Sequence, residues 1–143
     1  MSTTFEIRAA RLDDAEELAA LMNQLGYDVP VVEIAQRLRR REERRAVFVA
    51  TRGDRVVGWA AVSTDETFVE GFGAHLEGLV VEETARGLGA GAHLIEAAET
   101  WARDRGCNEM RVQSNVVRRR AHAFYNRHGY ATIKSQYHLR KPL

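Results

Sequence analysis

The sequence predicts an α+β fold in which a central, mixed but mostly antiparallel β-sheet is flanked by about four helices. Three observations carry this expectation. Two β-rich runs, AVFVATR (46–52) and RVVGWAAVS (55–63), are separated by Gly53-Asp54 alone, a two-residue hairpin signal. A strand-like run at 74–81 leads through a glycine-rich turn into an Ala-rich amphipathic segment and then a further strand-like run, so these two strands are expected to be parallel. Leu18, Leu21, Met22 and Leu25 recur at helical spacing ahead of the hairpin.

Taken in order, FEIRAA (5–10) reads as a first strand. Asp13 with Glu16 resembles a capping box for the first helix, and Gly26 stands where a helix C-terminal cap is expected. Pro30 opens a second helix over roughly 31–44. The hairpin follows, then a loop at 64–73 and a fourth strand, AHLEGLVV (74–81). Alternation along that strand places His75, Glu77, Leu79 and Val81 on one face and Leu76, Gly78 and Val80 on the other. A helix over 89–105 has a buried stripe of Leu88, Ala92, Ile95, Ala98 and Ala102. EMRVQS (109–114) is the fifth strand, 119–128 a last helix ended by Gly129, and YATI with SQYHLRK supply one or two closing strands.

The 143 residues suit one domain spanning 1–143, and 45% hydrophobic with 29% charged residues is ordinary for a globular protein. The formal net charge is +1, so neither nucleic acid nor membrane is an expected partner. The dense run RLRRREERR (37–45) mixes signs at helical spacing, as in Arg39 with Glu43, and reads as a solvated helix face. No apolar stretch approaches the roughly 20 residues of a membrane span, and MSTTFEIRAA lacks a signal-peptide core, so a cytoplasmic location is expected. Cys107 is the sole cysteine, which excludes a disulfide framework and a cysteine-based zinc site; no metal is expected.

TARGLGAG (84–91) is where the chemistry begins. A strand, a short glycine turn and a helix start form an anion site, because free N–H groups and the helix dipole face the ligand and glycine lets the backbone approach closely. GLGAGA (87–92) formally fits the dinucleotide fingerprint. That fingerprint needs its first glycine right after the first strand, with an acidic residue ending the next one. Here residues 82–86 intervene, three strands precede, and Glu109 begins its strand, so a nicotinamide or flavin site is not expected. A nucleoside triphosphate loop needs Gly-Lys-Ser/Thr, which is absent.

VVEETARGLGAG resembles the acyl-CoA signature of the GNAT superfamily of N-acetyltransferases, Arg/Gln-x-x-Gly-x-Gly/Ala, met by Arg86, Gly89 and Gly91. About thirty residues on, RRRAHAFYNRHGY (118–130) is similar to a second family stretch, A-x-x-x-Y-x-x-x-G-F/Y, met by Ala121, Tyr125, Gly129 and Tyr130. The resemblance covers essentially the whole chain and implies the GNAT fold, with strands four and five parallel and splayed apart. It further implies that the amides from Arg86 through Gly87, Leu88, Gly89, Ala90 and Gly91 hold the pyrophosphate of acetyl-CoA. Leu79, Val80 and Val81 would pair with the pantetheine arm as if it were a strand. Asn115, Ala121 and Phe124 are implied to contact the cofactor as well. Many relatives carry Asn where this chain has Arg118.

By the same resemblance Tyr125 is the general acid that protonates the departing thiolate; a phenol, with a pKa near about 10, holds its proton at neutral pH. Some relatives place a base on the fourth strand at positions matched by Glu77 and His75. The implied activity is transfer of an acetyl group from acetyl-CoA to a primary amine of a small molecule, by direct attack in a ternary complex. AHAFY (121–125) is similar to a stretch of some small-molecule acetyltransferases, aminoglycoside-modifying ones among them. Asp65, Glu66 and Glu70 in the 64–73 segment suggest a cationic acceptor, and a homodimer is a further expected association. A protein or peptide amine as acceptor, a non-catalytic CoA-binding regulatory module, or an interaction domain that has lost the pocket are the alternatives.

Overall fold

The computed structural model describes residues 4–40, 43–114 and 118–143. Residues 1–112 and 113–143 form two units, taken here in turn. The first runs β1 (Glu6–Ala9), a 3-10 turn (Leu12–Asp14), α1 (Ala15–Gln24), α2 (Val31–Arg39), β2 (Arg45–Arg52), β3 (Arg55–Thr67) and β4 (Gly71–Val81). A second 3-10 turn (Glu83–Ala85), α3 (Ala90–Asp104) and β5 (Met110–Val112) complete it. The sheet order is β1-β2-β3-β4-β5, antiparallel throughout except for the parallel pair β4–β5. With α4 of the second unit (Arg119–Arg127), four α-helices and a mixed five-stranded sheet make the expected α+β architecture.

Apolar spacing decides which helix covers which face. Leu18 and Leu21 of α1 and Ile34 of α2 join Val49, Trp59, Ala61 and Val80 in one cluster, so these two helices cover the face that carries those strand residues. α3 covers the other face. A Cβ on Gly58 would stand 3.1 Å from Leu94, and Ala102 packs with Ala74 and Cys107. Removing each large aliphatic side chain from water contributes about 1.5–3 kcal/mol, which makes this two-faced burial the main source of stability. Burial also pushes the Cys107 thiol pKa up, in keeping with a packing residue.

The first helix starts differently from the sequence expectation. Instead of an Asp13–Glu16 capping box, buried Asp14 accepts from both guanidinium nitrogens of Arg8, at 2.7 and 2.9 Å, and from the Arg11 amide at 2.7 Å. The Arg8 hydrogen bond dominates and holds the Asp14 carboxyl below its usual range, against the opposing effect of burial. A depressed carboxylate contributes stability above its unfolded pKa and loses it as pH falls through the folded value, so this node weakens in acid.

Other boundaries also move. α2 stops at Arg39 and Arg45 already belongs to β2, so the charge run is not one continuous helix. The loop expected at 64–73 is a hairpin extension: β3 continues to Thr67 and β4 starts at Gly71, because cross-strand pairing carries even acidic residues such as Asp65 and Glu66 in register. Leu88 lies before α3 and is 41% exposed; Ala90, Leu94, Ile95, Ala98 and Ala102 form the buried stripe instead. β5 is shorter than 109–114 because its pairing with β4 ends at Val112. Among the described residues no helix is long and apolar enough to cross a membrane.

In the second unit α4 lies where the sequence places it. The closing strands do not form: residues 130–143 belong to no helix or strand, since a strand exists only where its amides and carbonyls find a ladder partner.

Candidate active site

β4 changes phase in its middle. Ala61 pairs with Gly78 while the next residue, Val62, pairs with Leu76, so Glu77 is an extra residue, a β-bulge. Ala74 belongs to the cluster under α3, whereas Val80 lies in the cluster under α1 and α2. Strict alternation would put both on one face. The bulge therefore corrects the expected pattern: His75 turns to the α1–α2 face, opposite to Leu79 and Val81, and no longer shares a side with them.

The bulged residue meets a partner that the linear pattern does not reveal. Arg45, at the start of β2, donates through Nε to a Glu77 carboxylate oxygen at 2.8 Å. Register explains the encounter, because Arg45, Ser63, His75 and Arg111 form one row across β2, β3, β4 and β5. At the end of that row Arg111 pairs with Glu70 and lies 3.7 Å from Glu109. Asp65 and Glu66 stay exposed on β3. The bulge thus carries a carboxylate within a mixed-charge surface, not an isolated His–Glu pair.

Beyond the bulge the strand edge opens. Among the described residues β4 pairs with β5 only at Ala74, His75 and Leu76, so none of them gives 77–81 a strand partner on that side. Gly78 is needed here because a Cβ would lie 2.7 Å from the Trp59 ring. The buried Trp59 indole N–H has no hydrogen-bond partner among the described residues. At the strand end, Glu82 is anchored by Arg55 at 2.6 Å and by its own amide to the Val57 carbonyl at 2.7 Å.

The chain then turns into α3 through the predicted loop. Gly87 and Gly89 have φ of 79° and 98°, left-handed values that side chains with a Cβ rarely adopt. Gly89 takes the position before the first helical residue, with no side chain capping the helix. Among the described residues the amides of 87–92 donate to no protein acceptor, as expected of a helix start whose first turn has no intrahelical partner. Arg86 directs its Nε to the Val81 carbonyl at 3.1 Å, tying the loop to the end of β4. The loop accordingly presents free main-chain donors at the positive end of a helix of 15 residues.

In the second unit Tyr125 sits on α4, edge-on to Phe124 at 5.4 Å and to Tyr130 at 5.8 Å between ring centroids. The Tyr130 amide donates to the Tyr125 carbonyl at 3.0 Å, closing the helix around the ring pair. Burial raises the phenol pKa, and the nearby positive charge of Arg118 opposes this in part. Ala121 and Phe124 are half-buried on the same helix. Asn115 lies outside the described residues. Sequence reading missed Arg45 and the Trp59 indole; a glycine inside a strand, Gly78, was the one available hint of a bulge. A shallow depression lined by Ile7, Phe48, His93 and Trp101 holds none of the expected site residues.

Residues 12–130 match the model of the acetyltransferase (GNAT) family. The chain is 34% identical over 144 residues to an aminoglycoside N(6')-acetyltransferase type 1 of Stenotrophomonas maltophilia, covering 96% of this chain and 93% of the relative. It is also 34% identical over 102 residues to the protein of the same name from Klebsiella aerogenes, covering 68% and 67% of the two chains. Among solved structures, an aminoglycoside N-acetyltransferase, AAC(6')-Iy, in complex with CoA superposes with a TM-score of 0.87 at 22% identity, over 98% of this chain and 96% of that one.

Proposed function

Since this chain belongs to the GNAT family of acetyltransferases, we propose that it is an acetyl-CoA-dependent enzyme whose acceptor is a primary amine of a small cationic molecule of the aminoglycoside type. The family match runs across both units, in keeping with a single catalytic domain. The observation that carries the reading is a pair of main-chain surfaces flanking one turn: the β4 edge at 77–81, which has no strand partner on its β5 side among the described residues, and the amides of 87–92, which donate to no described acceptor. An extended pantetheine arm suits the first and a pyrophosphate the second. The relatives named as aminoglycoside acetyltransferases supply the acceptor class.

Each residue then has a task. The amides of Gly87 to Ala92 hold the diphosphate, and Arg86, held to Val81, keeps the loop at the strand end. Main-chain N–H groups of the β4 edge orient and polarise the thioester carbonyl. Glu77 attracts the acceptor ammonium and takes its proton, directly or through water, with His75 as the alternative base. The freed amine lone pair forms the new N–C bond, the C–S bond breaks, the Tyr125 hydroxyl gives its proton to the sulfur, and the second proton that the nitrogen loses on becoming an amide passes through water to restore the phenol. Arg45 fixes the rotamer of Glu77 and yields part of its carboxylate to the incoming cation. No covalent enzyme intermediate is involved.

The test is thiol release from acetyl-CoA with aminoglycosides, simple polyamines and a lysine peptide as acceptors, alongside calorimetric titration with CoA. Turnover with aminoglycosides and micromolar CoA binding are expected. CoA binding without turnover on any amine would leave a regulatory module, and no CoA binding would sink the reading.

A further inference from the structure

The loop that leads into α3 stands on three points. Ala85, which ends the second 3-10 turn, and Ala90, which opens α3, are buried, while residues 86–89 between them are exposed. The third point is Glu82, the residue after β4, and of the three it alone carries a charge.

Glu82 is tied to the neighbouring strand by both its backbone and its side chain. Its amide donates to the Val57 carbonyl at 2.7 Å, and one guanidinium nitrogen of Arg55 donates to both of its carboxylate oxygens at 2.6 Å. Register brings these groups together: Gly58 pairs with Val81, so the start of β3 runs beside the end of β4. Burial is uneven across the pair, since the Glu82 side chain is 18% exposed and that of Arg55 63%. Among the described residues no other side chain pairs with the Glu82 carboxylate.

A carboxylate so placed bears on what the loop can hold. The amides of 87–92 present positive partial charge at the start of α3, where an anion is favoured. A negative charge at the foot of the same loop, largely out of water and so weakly screened, opposes that anion unless something cancels it. Within the segment Arg86 does not reach it, because its Nε is turned to the Val81 carbonyl. The cancelling charge comes from the β2–β3 hairpin instead.

We propose that Arg55 is a positioning residue for acetyl-CoA that works by charge: paired with Glu82, it removes a half-buried negative charge that would otherwise weaken the hold of the loop on the diphosphate. Resting on the acetyl-CoA reading of that loop, this adds to it a residue outside both the loop and the edge of β4. Arg55 is exposed enough to contribute little to packing, so replacing it perturbs the charge far more than the fold.

Calorimetric titration of the full chain with CoA should be set beside Arg55→Gln and Arg55→Gln/Glu82→Gln, each at low and high salt, with far-ultraviolet spectra to verify the fold. Arg55→Gln should weaken CoA binding about tenfold at low salt, and by less at high salt, where the uncompensated charge is screened. The double variant, which removes the carboxylate as well, should recover to within about threefold of the wild type. A merely structural clamp would show no such recovery, because the double variant has lost both halves of it. CoA affinity that Arg55→Gln leaves unchanged, or a loss that the double variant does not recover, would overturn the proposal and leave the acetyl-CoA reading standing. A wild type that binds no CoA would overturn both. If Arg55→Gln does not fold, Glu82→Gln carries the test: with the Arg55 charge unopposed it should bind CoA more tightly than the wild type, and weaker binding would overturn the proposal.

Discussion

The stretches on either side of the second half of β4 are built from different materials. After the strand, residues 87–92 offer main-chain amides, shaped by two glycines and free of side-chain partners. Before it, the bulge at Glu77 and the hairpin beyond offer side chains already engaged with one another, Glu77 with Arg45 and Glu70 with Arg111. A ligand common to many enzymes can be held by backbone, whose demands are few and local. An acceptor peculiar to one enzyme has to be recognised by side chains, and those engaged around the bulge come from three strands.

This contrast is breakable. The largest expected effect is on neither stretch but on the shared chemistry: Tyr125→Phe should lower kcat by about 10²–10⁴ while calorimetry finds CoA affinity unchanged. Burial raises the Tyr125 pKa, so the hydroxyl keeps its proton, and activity should persist, to a pH above the ordinary phenol range. A high-pH limb that is identical in Tyr125→Phe would assign the acid elsewhere. Next, Gly89→Val forces a β-branched residue to a φ of 98°, a strain of about 1–3 kcal/mol that should weaken CoA binding by roughly 10–100-fold. If the loop merely joins strand to helix, melting temperature will fall and CoA affinity will not.

Smaller effects sharpen the other half. Glu77→Gln keeps the shape of the side chain and should cost about tenfold or more in kcat/KM for the amine, with CoA affinity untouched. Equal losses in amine turnover and CoA binding would mean that the bulge serves the cofactor instead. Smallest of all is Leu88→Ala. The side chain is 41% exposed, so stability should stay within about 0.5 kcal/mol and CoA binding should be unaltered, because the loop works through its backbone. A clear loss of affinity would show that the Leu88 side chain itself covers the ligand.

The same contrast explains what could be read from the residues alone. Gly53-Asp54 specifies its hairpin within two positions, and Arg86, Gly89 and Gly91 mark their loop within six. Both signals are local conformational requirements, written in residue types. Glu77 and Arg45 are 32 positions apart, and nothing in either segment announces the other. Their meeting depends on register across β3 and on one extra residue in β4. Period-two alternation assumed an unbroken strand and so misplaced His75. The tail failed for a related reason: YATI and SQYHLRK have strand composition, but composition does not supply the neighbour that makes a strand.

The bulge at Glu77 also constrains how such a chain can drift over generations. Side chains alternate with a period of two, so one extra residue inverts the phase of everything on one side of it. Replacing Glu77 alters a single side chain and leaves Ala74 and Leu76 under α3. Deleting it would remove the carboxylate, swing those two out of their packing and send His75 into it, all at once. At this point of the strand a substitution changes one side chain, while an insertion or deletion disturbs the packing of a whole face.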